Sequence, residues 1–230
     1  MMDSRPQAAS PQKPAVRIGR PPREFAGEVE NRILDAARRV FLERGLAGAS
    51  MDEIASLARA GKPTIYARFE NKEALYAAVV RRNVDGIARF ECFIPEGATI
   101  EERLANVAAT FLHSALAGDT VDLMRLGISE ARRFPDLAFG IHRMARGRAE
   151  EIVARQLGEI AQTGALGALP AFAPERLAAT TKVLVDLTFL PIIMQALFGE
   201  RLELLRAEIE PHAVRSVAFF LAACRRDDRA

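Results

Sequence analysis

An all-α fold is what this sequence predicts, and three observations predict it. Ala, Leu, Glu and Arg abound while the chain holds only 15 Gly and 12 Pro and few β-branched runs, a composition that favours helix and leaves no obvious sheet. Apolar residues recur at helical spacing along one segment after another. Ser50 with Glu53, and Thr99 with Glu102, have the form of capping boxes, in which a hydroxyl takes a backbone N–H and a carboxylate returns the bond. The 230 residues, half of them apolar, are enough for two units. The expected division is an arm at 1–23, a three-helix unit at 24–72, and a larger helical unit at 73–230 joined to it by a helix over 72–90.

Residues 1–23 are rich in Pro, Gln, Ala and Arg and lack an apolar period, so a disordered basic arm is expected. Within RIGRPPR, the residues Arg17, Gly19, Arg20 and Pro21 resemble the core of an AT-hook, an extended strand whose guanidinium enters a narrow minor groove. A solubilising tail is the alternative. The first helix is expected over 28–44, with Ile33, Leu34, Ala37, Val40 and Phe41 inward and Gly45 as its stop. Arg32, Arg38 and Arg39 then form a solvated face.

Residues 50–72, SMDEIASLARAGKPTIYARFENK, read as a helix-turn-helix. Ser50 starts a helix near Met51 whose apolar face is Ile54, Leu57 and Ala58. Gly61 can supply a positive φ in the turn, and Pro63 suits the first turn of the next helix. Ile65 and Phe69, four apart, point inward and leave Thr64, Tyr66, Ala67 and Arg68 outward. Asn71 can cap a further helix that begins at Lys72. An outward face of hydroxyl, phenol, small residue and guanidinium suits a DNA groove: the polar groups donate to phosphates and the small residue admits close approach to base edges. Lys72 at a helix N-terminus suits a phosphate. The candidate DNA-contacting residues are therefore Ser50, Met51, Lys62, Pro63, Thr64, Tyr66, Ala67, Arg68 and Lys72, with Arg17 and Arg20 of the arm. The alternative is a helical corner of an all-α protein that never touches DNA.

The stretch AGKPTIYARFENKEALYAAVV resembles the recognition helix and following helix of the TetR family of bacterial transcriptional regulators. Gly61, Thr64, Ile65, Tyr66, Phe69, Lys72, Glu73 and Leu75 stand where that pattern wants them, and the match covers about residues 28–80. Arg68 departs from the usual His or Tyr, and Pro63 from a small residue. ISEARRFPDLAFGI further on resembles the regulatory domain of the AefR-like branch. The resemblance implies a homodimeric regulator of a pseudo-palindromic double-stranded DNA operator, with a small-molecule effector of unidentified chemistry bound in the second domain.

IPEGAT breaks the chain before Thr99. Helices are then expected at about 100–117, 120–134, 137–163, 174–198 and 211–225, with a bend at Pro135 and a kink at Pro191. The run 183–198 is apolar nearly all round, and Val214, Val217, Ala218, Leu221 and Cys224 make a stripe. These last two helices are either plain core or, as the family resemblance favours, a dimer interface. An apolar effector cavity is expected from Phe111, Met124, Ile128, Phe134, Phe139, Phe189 and Met194, with His113, Glu130, Arg132 and His142 as its polar groups. Each of these could instead be core or surface.

Residues 1–72 hold 13 Lys or Arg against 9 Asp or Glu, a net +4, while the rest of the chain nets −2, so the basic excess lies with the head. Cys92 and Cys224 show neither CxxC nor metal spacing, which fits a reducing cytoplasm. His113, His142 and His212 make no i, i+4 metal pair, and P-loop, dinucleotide and nucleophile-elbow motifs are missing, so neither a catalytic residue, a metal nor a cofactor is expected. A membrane span is not expected either. An α-helical enzyme and a transcriptional activator stay open beside the repressor reading.

Overall fold

The computed structural model describes residues 23–87, 94–162 and 165–226. The arm, with Arg17 and Arg20, and Cys92 lie outside the described residues. Among the described residues the regular elements are α1 (Arg23–Gly48), α2 (Met51–Leu57), α3 (Lys62–Tyr66), α4 (Lys72–Ile87), α5 (Ile100–Ala115), α6 (Thr120–Ser129), α7 (Pro135–Gln162), α8 (Leu177–Leu197) and α9 (Leu202–Arg226), plus short 3-10 turns at Ala165–Ala168 and Pro170–Phe172.

The head is built as its apolar spacing dictates. Ile33, Ala37, Val40 and Phe41 of α1 close over Ile54, Ile65, Phe69, Leu75 and Val79 in one buried cluster. Gly45, at φ 70°, breaks the helical path of α1 where a stop was expected. Leu57 does not join the core; it is 45% exposed. The cluster also takes in Leu123 of α6, and Leu137, Ile141 and Met144 of α7 pack against it, so the head's core continues into the second half of the chain.

In that second half, Thr99 and Glu102 form a complete capping box at the start of α5, and their backbone bonds hold the Glu102 carboxyl below its usual range. α6 ends at Ser129 rather than at about 134, and Pro135 takes the first position of α7 after a non-helical Phe134. The last helix differs from expectation. It begins at Leu202 rather than 211 and runs through Pro211. Pro211 and Ala207, whose carbonyl loses its partner, are both exposed, so water can take that bond. α8 likewise runs through Pro191, with His212 Nε2 2.8 Å from Thr188 O beside it.

At 21 residues and mean hydropathy 1.7, α8 is long and apolar enough to cross a membrane by length and composition, which the sequence run of 183–198 was not. In the fold its Leu184, Val185, Ile192, Ile193 and Ala196 are buried. Val183, Leu190, Met194 and Phe198 make an exposed stripe on the same helix. The α9 stripe divides in the same way: Val217, Leu221 and Cys224 are buried, whereas Val214 and Ala218 face out with Phe219.

Candidate nucleic-acid interface

Ser50 caps α2 from an extended conformation, its Oγ accepting the Glu53 N–H at 3.1 Å. The return half of the expected box is replaced by an ion pair, because the Glu53 carboxylate goes to Arg44 at 2.8 Å. The interhelical turn also differs from expectation. Ala60 N–H donates to Ala55 O and Arg59 N–H to Ser56 O, a Schellman closure whose left-handed residue is Arg59, at φ 50°. Gly61 instead sits extended at φ −65° as the N-cap of α3.

From that cap α3 is anchored by Ile65, fully buried, and by Phe69 just beyond it. Tyr66 is 51% exposed, Ala67, Arg68, Lys62 and Pro63 are exposed, and Thr64 is half-buried. Ala67 and Arg68 follow the last residue of α3, with Ala67 still in helical conformation and an Arg68 guanidinium nitrogen donating to Thr64 O at 3.3 Å. Lys62 Nζ lies 2.6 Å from an Asp52 carboxylate oxygen, which holds the ammonium's pKa up and joins α2 to α3. Two expected contacts need correction. Met51 is buried in the head core because the first residue of α2 faces inward, so its side chain is not offered to DNA. Lys72 Nζ donates to Ala47 O at 3.1 Å and Ala49 O at 3.4 Å, so its first role is to fasten the α1–α2 loop to α4.

Polar bonds tie this head to the second half of the chain. The buried Tyr76 hydroxyl donates to Leu123 O at 2.8 Å, and burial, helped by the negative charge of Glu130, pushes the phenol up to about 12. Asn83 donates to Thr120 Oγ1 at 3.1 Å, and Arg38, expected to be merely solvated, pairs with Asp119 at 2.7 Å. An open groove of about 440 Å³ runs between these contacts, bordered by Val79, Gly86 and Ser114. Sequence reasoning missed this junction, because pairs 37 to 81 residues apart leave no local spacing to read.

The effector residues expected from the sequence are only partly gathered. Phe111 and Phe189 meet, ring centroids 5.2 Å apart, with Ile152 and Ala149 against them. Met124 packs on an adjoining cluster that Phe189 also touches. The others go elsewhere: Phe134 packs against the head core, and most of the rest stand on outward helix faces. Ile128 and Phe139 are exposed, with Arg143 over the Phe139 ring; Arg132 and His142 are exposed; Met194 belongs to the outer stripe of α8. His113 is exposed and sits 2.7 Å from Glu210, holding that carboxyl below its usual range. The Glu130 carboxylate faces Gly45. One polar group was missed: Gln156 of α7 is 2% exposed, and its Oε1 has no hydrogen-bond partner among the described residues.

Comparison with known proteins agrees with this layout. The model described as bacterial regulatory proteins of the tetR family matches residues 33–79, and that of the AefR-like transcriptional repressor C-terminal domain matches residues 102–226. The chain is 45% identical over 60 residues to the transcriptional activator FasR of Mycolicibacterium smegmatis, a match that covers 26% of this chain and only 27% of FasR. It is 28% identical over 166 residues to the regulator UidR of Escherichia coli, covering 71% of this chain and 80% of UidR. Among solved structures, the flavonoid-responsive regulator FrrA superposes with a TM-score of 0.66 at 26% identity, covering 86% of this chain and 97% of FrrA.

Proposed function

This chain belongs to the tetR family of DNA-binding transcriptional regulators, and from that premise we propose that it is a homodimeric repressor released from its operator by a small apolar effector. The observation that carries the DNA-binding half is the anchoring of α3: Ile65 and Phe69 hold it down while Tyr66, Ala67 and Arg68 face solvent. In a dimer two such surfaces would enter successive major grooves about 34 to 36 Å apart on a pseudo-palindromic site. Binding outside DNA altogether, in an adaptor of this shape, has no feature here in its favour, and a gel-shift against the upstream region of its own gene separates the two.

The dimer partner would cover the outer stripes of α8 and α9. Val183, Leu190, Phe198, Val214 and Phe219 are each roughly half exposed or more, an apolar surface that a monomer in water would not keep without use. The effector would enter between α5, α7 and α8, where Phe111, Ile152 and Phe189 meet. Displacing α6 through that site would move α4 by way of Tyr76 and Asn83 and so change the spacing of the two recognition surfaces. FrrA is named for a response to flavonoids, which supports an aromatic effector here. Repression is favoured by the AefR-like repressor match over the second domain, whereas the FasR activator match spans only 60 residues. A cytoplasmic location, and the lack of a catalytic or membrane role, follow from the same reading. The test is a gel-shift titration with operator fragments, repeated with candidate effectors present: bound DNA that no effector releases would remove the induction half of the proposal.

A further inference from the structure

Resting on that reading of the effector site, we propose that the Gln156 amide is its polar anchor and that the effector is a planar aromatic compound whose hydroxyl donates to Gln156 Oε1. Gln156 is 2% exposed and its Oε1 is unpartnered among the described residues. Buried carbonyls in protein interiors are nearly always paired, so one left open marks a place where a donor is expected. Gln156 lies four residues after Ile152 and seven after Ala149, on the same face of α7. That face meets Phe111 of α5 and Phe189 of α8.

Phe189 packs against the pair of Phe111 and Ile152 and against both larger clusters of the domain, so all three meet at its ring. The two rings, 5.2 Å apart at an interplanar angle of 50°, give this place an aromatic lining, which suits an aromatic ligand. One buried acceptor among apolar groups selects a neutral donor and rejects an analogue that cannot donate.

The test uses the full chain, with the trihydroxyflavone apigenin and its trimethyl ether as probes in calorimetric titrations of the wild type, Gln156→Leu and Phe111→Ala. The wild type should prefer apigenin by about tenfold or more, and Gln156→Leu should bind both compounds within about twofold. Without any probe, Gln156→Leu should also unfold at a higher temperature, since a buried carboxamide with an unpaired oxygen has given way to an apolar side chain of similar size. An undiminished preference in Gln156→Leu overturns the anchor, and so does a fall of several degrees in its unfolding temperature. Loss of binding in Phe111→Ala beside an unchanged preference in Gln156→Leu overturns the anchor alone. Unchanged binding in Phe111→Ala, or no binding to the wild type, overturns the effector site with it.

Discussion

Lys62 enters the recognition surface with its charge already committed, 2.6 Å from Asp52. A phosphate must compete with that carboxylate, and the carboxylate itself repels DNA. Asp52→Asn is therefore expected to tighten operator binding and to steepen the salt dependence by about one unit, read from titrations across salt concentrations. On the proposed reading, in which the exposed phenol donates to a phosphate, Tyr66→Ala should weaken binding across all sequences. Lys72→Ala should weaken binding too, but through the α1–α2 loop whose carbonyls it holds, so its unfolding temperature should fall as well. At Arg59 the backbone pays a steric penalty, since φ 50° suits glycine. Relief of that strain outweighs the added chain entropy of glycine, so Arg59→Gly is expected to raise stability by roughly 0.5 kcal/mol in denaturant titrations. A loss of stability would mean that the Arg59 side chain contributes a contact that outweighs its backbone.

α4 is the element that ties the recognition surface to the rest, and Tyr76 is its deepest link. The phenol is neutral while protonated, and its folded value of about 12 lies above the ordinary value near 10. The unfolded chain therefore loses the proton first as pH rises. Stability from this group is intact below pH ~10 and is lost between there and pH ~12, by about 2 to 3 kcal/mol. Denaturant titrations at about pH 9 and about pH 11 should show about half of that loss in the wild type and none of it in Tyr76→Phe, which itself costs about 1 kcal/mol at neutral pH. Helices such as α4 were legible because their signals are local: Asn71 accepts the Ala74 N–H at 2.8 Å, and Thr99 and Glu102 close their box, as spacing foretold. Gly61 misled because glycine permits a left-handed turn without requiring one, and Arg59 took that conformation. The last helix, expected from about 211, starts at Leu202 because a proline on an exposed face leaves its freed carbonyl to water and lets the helix run through Pro211. α8 gave no phase at all: a helix apolar all round does not say which of Phe189 and Met194 faces inward.

At the scale of the whole molecule, the apolar stripes of α8 and α9 should hold two copies together, and Phe219→Asp should give a folded monomer by light scattering. Such a monomer keeps both an intact head and an intact interior, so it should still bind aromatic compounds while losing most of its operator affinity. The measurement that bears most directly on all of this is sequencing of the genomic DNA fragments that the purified full-length protein retains, followed by footprinting of the enriched site. Expected is an inverted repeat with half-sites about one helical turn apart, protected by two copies of the chain and bound far more weakly when one half is scrambled. Enrichment of no common sequence, or tight binding of one chain to a single half-site, would contradict it.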